Sequence, residues 1–183
     1  MTNTNKLTEV SVEDLPDELT QFGHFGVSSF LLNSQPMNFN LMPAHEADLE
    51  GFIAIRLEAM RESLERIGRF DPERAAARLR DSFSAADTRH IVMQGERIGF
   101  VVVKHQEGGL LLDHLYLRPA FQRRGIGTRV LERVFEEADA QGLVVHVGAL
   151  RESPANEFYV RHGFNESSAS EWDNYYMRDP KPK

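Results

Sequence analysis

Cysteine is absent from the chain, which excludes disulfides, thiolate zinc sites and a thiol nucleophile. Long hydrophobic runs are absent too: no stretch approaches the ~20 apolar residues that cross a bilayer. Positive charge is scarce. Lys and Arg number 21 against 28 Asp and Glu, for a net charge of −7 and a pI near 5.5. Extended binding to a nucleic-acid backbone needs a cationic face, so it is not expected. An acidic surface is instead compatible with a cationic acceptor such as an amine. The seven histidines contain no His-x-x-x-His pair, so no metal is assigned. The opening "MTNTNKLTEVSVEDLPDEL" is polar and acidic, unlike a secretory leader, and a cytoplasmic protein is expected.

What is present is ordinary globular chemistry. With 183 residues, 41% hydrophobic and 27% charged, the chain can bury one full core. Residues 1–36 read as an accessory or disordered arm, and 37–183 as the folded domain. "MNFNLMPAHEAD" begins that domain with a strand ending at Pro43. Leu49, Ile53, Leu57, Met60, Leu64 and Ile67 then recur every three or four residues, which predicts a long amphipathic helix. Asp71-Pro72 reads as an N-cap followed by proline at the first helical position, opening a second helix.

Three strands follow at 89–93, 97–103 and 110–117, linked by the turns Gln94-Gly95-Glu96 and Glu107-Gly108-Gly109. "LLLDHLYL" is apolar almost throughout, so it is expected at the centre of the sheet. Ile126, Val130, Leu131, Val134, Phe135 and Ala138 form a clean helical stripe closed by Gly142. "LVVHVGAL" (143–150) is another buried strand, a short helix runs from Ser153-Pro154 to Gly163, and "EWDNYYM" (171–177) supplies a last strand. The order predicts a mixed α/β sheet with helices on both faces.

The unusual stretch lies between the third strand and its helix. "RPAFQRRGIGTR" (118–129) places four arginines and two glycines around a helix start. A helix N-terminus offers unpaired N–H groups and partial positive charge, and glycine lets an anion approach the backbone. Arg123, Arg124 and Arg129 can add charge-assisted hydrogen bonds. Two rival phosphate loops fail: the third glycine of the dinucleotide fingerprint is replaced by Val130, and Lys104, the only internal lysine, lies inside a strand rather than in a Gly-Lys-Ser/Thr loop. The alternative for the hexapeptide alone is a helix start with solvated arginines.

"LYLRPAFQRRGIGTRVL" resembles the signature of the GNAT superfamily, the acyl-CoA-dependent N-acyltransferases: a strand, a proline, then Gln/Arg-x-x-Gly-x-Gly/Ala opening a helix. "SPANEFYVRHGF" (153–164) resembles the second family segment, and "LMPAHEADLEGF" (41–52) resembles the opening strand and helix. The resemblance spans about residues 37–178. It implies a GNAT-like, mostly antiparallel sheet with splayed central strands. It also implies acetyl-CoA as co-substrate and a small-molecule or peptide amine as acceptor, acetylated by direct attack in a ternary complex. Backbone groups of Leu115, Tyr116 and Leu117 would pair with the pantetheine arm. The turn from Gln122 through Arg123, Arg124, Gly125, Ile126, Gly127 and Thr128 would receive the pyrophosphate. Main-chain amides would line the oxyanion position.

Tyr159 stands where the family often places a proton donor to the departing thiolate, a role suited to a phenol of pKa near 10. The alternative is a buried core aromatic. Strand alternation puts Leu111, Asp113, Leu115 and Leu117 on one face and His114, whose intrinsic pKa suits a base better, on the other unless a bulge re-aims it. Asp113 is therefore the candidate base or amine-orienting carboxylate, and the alternative is an ion pair with a nearby arginine. The family asparagine usually lies about seven residues before the tyrosine, where this chain has Glu152. Asn156, three before it, is the candidate to line the cofactor site or cap backbone. A homodimer is the expected assembly. A non-catalytic acyl-CoA-binding regulatory module is the competing function.

Overall fold

A computed structural model describes residues 38–182 of the chain. The arm expected over residues 1–36 lies outside the described residues. Strand β1 (Asn40–Pro43) leads into helices α1 (Leu49–Arg66) and α2 (Pro72–Ser82), then strands β2 (Thr88–Met93), β3 (Glu96–Gln106) and β4 (Gly109–Leu117). Helix α3 (Ile126–Gln141), strand β5 (Val144–Leu150), helix α4 (Ala155–Arg161) and strands β6 (Asn165–Ala169) and β7 (Asp173–Arg178) complete the chain. The strands form one open sheet in the order β1-β2-β3-β4-β5-β7-β6. Every neighbouring pair is antiparallel except β4 with β5.

Local chemistry accounts for the elements. The Asp71 side chain accepts from the Arg74 amide at 2.9 Å and caps α2 ahead of Pro72. Gly142 adopts the left-handed conformation (φ 68°) that ends α3. Strand β6 has no counterpart in the sequence reading: "NESSA" is polar and exposed along its whole length, so neither alternation nor apolar content marks it, and pairing with β7 alone makes it a strand.

The sheet separates two apolar clusters. On one face α3 contributes Ile126, Val130, Leu131, Val134 and Ala138, packed against Leu110, Leu112, Val145 and Val147. On the other, Phe52, Ile53 and Ile55 of α1 and Ala76 and Leu79 of α2 cover Phe100 and Val102 of β3. The buried face of α1 is Phe52, Ile53, Ile55 and Arg56, so one of its four inward positions is charged.

Asp48, just before α1, ties the helix start to two strands. Its carboxylate accepts from the His45 amide (2.9 Å) and Arg97 (2.8 Å) and meets His90 Nε2 at 3.0 Å. The hydrogen bond with His90, reinforced by those with the His45 amide and Arg97, holds this carboxyl well below the usual range. A depressed folded-state pKa contributes stability that is full above the unfolded value and fades as pH falls through the folded one. Asp48→Asn should therefore lower stability by about 2 kcal/mol at pH 7, and the gap to the parent should narrow as the pH drops below about 4, measured by denaturant titration at both ends.

Candidate functional site

The central feature is a gap between β4 and β5. Their parallel pairing covers only Gly109↔Val144 through Leu112↔Val147. Beyond it β4 stays bonded to β3 as far as Leu117, and β5 stays bonded to β7 as far as Leu150. Over Asp113–Leu117 the β5-facing edge of β4 thus carries main-chain groups with no ladder partner among the described residues, apart from the Leu117 carbonyl, which accepts from Gln122 Nε2 at 2.8 Å. The splay expected from the resemblance is present.

A β-bulge accompanies it. Val102 pairs with His114 and Val103 with Leu112, which leaves Asp113 as the extra residue. A bulge bends its strand and increases twist, which turns β4 away from β5 where their pairing stops. It also corrects the expected alternation. Leu115 and Leu117 pack with the α3 cluster, as Leu110 and Leu112 do. Asp113 instead pairs with Lys104 at 2.6 Å, and the Lys104 ammonium also donates to the Ser82 carbonyl at the end of α2. The His114 ring lies 5.6 Å from Tyr116 and 6.2 Å from Phe100. Asp113, His114 and Tyr116 therefore share the α1/α2 face. The partner of Asp113 is a lysine, where the sequence reading considered an arginine. Burial holds the His114 imidazole down at about 4, against an opposing pull from Asp113, so it is neutral at pH 7.

At the β4–α3 corner Gly125 has φ 77° and caps α3 without any side-chain hydrogen bond to the first turn. The amides that open α3 therefore lack a side-chain cap, and the turn from Gln122 through Gly125 that leads into them is exposed. Arg123 also has positive φ (58°), a conformation costly for a side-chain-bearing residue. The two glycines have different reasons to be there. Gly125 supplies a left-handed backbone in open space, whereas a Cβ on Gly127 would meet the Phe158 ring at 3.3 Å. Gly127 thus lets α3 and α4 pack closely. Thr128 is held to α4 as well: its Oγ1 lies 2.9 Å from His162 Nε2, while His162 Nδ1 lies 2.7 Å from the Phe158 carbonyl. The Phe158 carbonyl can only accept, so Nδ1–H donates to it. No sequence spacing signalled this link.

Helix α4 brings Tyr159 to the core, 7% exposed, among Phe158, Phe164 and Tyr176. Burial, aided by the nearby Tyr116, pushes its phenol well above the ordinary value. Asn156 sits at a junction. Its Nδ2 donates to the carbonyls of Leu150 and Ser153 (both 2.9 Å), and its Oδ1 accepts from Asn174 (3.0 Å) and Tyr176 (2.8 Å). It pins the end of β5 to α4 and β7. Among the described residues no group of three or more His, Cys, Asp or Glu could hold a metal ion, and no helix is long and apolar enough to cross a membrane.

Residues 86–166 match a family model described as an acetyltransferase (GNAT) domain. Solved structures share the architecture. The PaiA N-acetyltransferase of Thermoplasma acidophilum, in complex with coenzyme A, superposes with a TM-score of 0.66 at 19% identity, over 78% of this chain and 99% of that one. An acetyltransferase from Thermus thermophilus gives 0.59 at 20% identity, over 78% and 97%. A GCN5-related N-acetyltransferase from Rhodopseudomonas palustris gives 0.63 at 20% identity, over 79% and 96%. At these identities the likeness is one of fold. No curated protein matches the sequence.

The glycine contacts predict a measurable coupling. Gly127→Val should destabilise the protein by about 2 kcal/mol through overpacking against Phe158. In a Phe158→Ala background the same substitution should cost markedly less, as read from a double-mutant cycle of denaturant midpoints.

Proposed function

We propose that the chain, whose residues 86–166 match an acetyltransferase (GNAT) domain model, is a GNAT acyltransferase that transfers an acetyl group from acetyl-CoA to a primary amine by direct attack in a ternary complex. The observation that carries this reading is the conjunction of an unpaired β4 edge with an adjoining helix start that has no side-chain cap. A pantetheine arm can pair with the main chain of Leu115, Tyr116 and Leu117 as an added strand does. A pyrophosphate can take hydrogen bonds from the amides between Arg123 and Thr128. Exposed Arg123 and Arg124 add charge, and Gln122 braces the turn against the Leu117 carbonyl. Gly125, Ile126 and Gly127 form the corner itself. Asn156 acts by positioning, because its amide is engaged by β5, α4 and β7.

Acetyl-CoA supplies an activated acyl group as a thioester. The chain has no cysteine to carry it, so the amine nitrogen attacks the carbonyl carbon while the carbon–sulfur bond breaks. Main-chain amides at the bulged stretch stabilise the developing oxyanion. Tyr159 stands on α4 in the core, and its buried phenol keeps its proton across the working pH range. It aids the leaving sulfur by donating a hydrogen bond. Of the two protons lost by the ammonium, one ends on sulfur and the other reaches solvent. Asp113 orients the incoming ammonium and takes its proton directly or through water, in competition with Lys104.

Tyr159→Phe should lower kcat by about tenfold or more with KM for acetyl-CoA changed less than twofold. Unchanged thiol release across a panel of amines would remove the role assigned to the phenol. Coenzyme A itself should raise Tm increasingly with its concentration, and the absence of any shift would count against the whole reading.

A further inference from the structure

Two arginines are buried in this fold, and the chain treats them differently. Arg178, 4% exposed, receives a bidentate carboxylate from Asp139 at 2.9 and 3.0 Å. Arg56, 7% exposed on the inner face of α1, has no carboxylate within ion-pair distance among the described residues. One guanidinium nitrogen donates to the Ala75 carbonyl of α2, and its Nε has no hydrogen-bond partner among them. Glu58, two residues along α1, pairs with Arg118 at 2.7 Å, and Asp113 pairs with Lys104 at 2.6 Å. A buried cation without a counterion is costly, so this position needs an anion that the chain does not supply.

Arg56 also stands beside the gap. Its guanidinium carbon is 5.9 Å from the centre of the Tyr116 ring, and Tyr116 belongs to the unpaired end of β4. The His114 ring lies 5.6 Å from Tyr116, and its Nε2 is a second buried polar atom without a partner among the described residues. Two unsatisfied groups thus adjoin one side chain on the α1/α2 wall, next to the Asp113 carboxylate. Guanidinium presents paired donors matched to a carboxylate.

We infer that Arg56 reads an anionic group on the acceptor, so that the acceptor is an amine bearing a carboxylate, of the free amino acid type. Its ammonium turns toward Asp113 and its carboxylate toward Arg56. The inference rests on the acetyl-transfer reading above and specifies its substrate class. Arg56 is then a specificity residue that takes no proton in the reaction.

The test is thiol release from acetyl-CoA with the full chain, over free amino acids, their carboxamides and polyamines. At least one free amino acid should be acetylated with kcat/KM ten or more times that of its carboxamide. Arg56→Met should erase this preference through KM for the acid, leaving kcat and the CoA-induced Tm shift little changed. Arg56→Lys should restore part of it, a rescue that a tether to Ala75 alone would not produce selectively for the acid. Equal use of acid and carboxamide, turnover confined to amines without a carboxylate, or an acid preference that survives Arg56→Met would each overturn the inference while leaving acetyl transfer intact. If Arg56→Met fails to fold, the acid-to-carboxamide ratio of the parent and of Arg56→Lys decides. Coenzyme A binding with no amine turned over would strike the acetyl-transfer reading itself, and this inference would fall with it.

Discussion

The rest of the site depends on the end of one hydrogen-bond ladder. Past Leu112↔Val147 the two central strands stop pairing, although each remains bonded to its other neighbour. Interior main-chain groups are rarely left without partners, so an unpaired edge in the middle of a sheet invites a ligand that can complete it. The Asp113 bulge makes the gap compatible with a continuous sheet. It preserves the ladder of β4 with β3 on either side, and it leaves the consecutive residues Asp113 and His114 both on the side covered by α1 and α2.

The two walls of the gap are built differently. On the α3/α4 side, the Gly127–Phe158 contact, the Thr128–His162–Phe158 chain and the hydrogen bonds of Asn156 fix the glycine corner to the helix that carries Tyr159. Such supporting contacts hold reacting groups in register. The α1/α2 wall carries charge and unsatisfied polar atoms at Arg56 and His114.

Legibility in the sequence followed how local each signal was. Helix starts and stops at Asp71-Pro72, Gly125 and Gly142 rest on backbone conformation and capping within a few residues, and they could be read directly. The central strand at 110–117 was marked by its apolar run. Strand β6 was not, because its polar residues become a strand only by pairing with β7. Asp113 could be singled out as a carboxylate in an apolar strand, but its face could not: alternation assumes an unbroken pleat, and one inserted residue reverses it. Arg56 escaped notice because a search for apolar periodicity passes over a charged residue on the buried stripe of α1.

The chain by itself determined the order of every strand and α-helix except β6, the glycine- and arginine-rich corner between β4 and α3, the absence of thiol chemistry and the identity of the tyrosine on α4. All of these follow from residue types and short-range geometry. Only the tertiary structure decided where β4 leaves β5, which lysine meets Asp113, why Gly127 must be small and which buried arginine lacks a counterion. Each of those facts is a meeting of segments distant in sequence, set by how the two faces of the sheet pack, and no spacing within a segment encodes it.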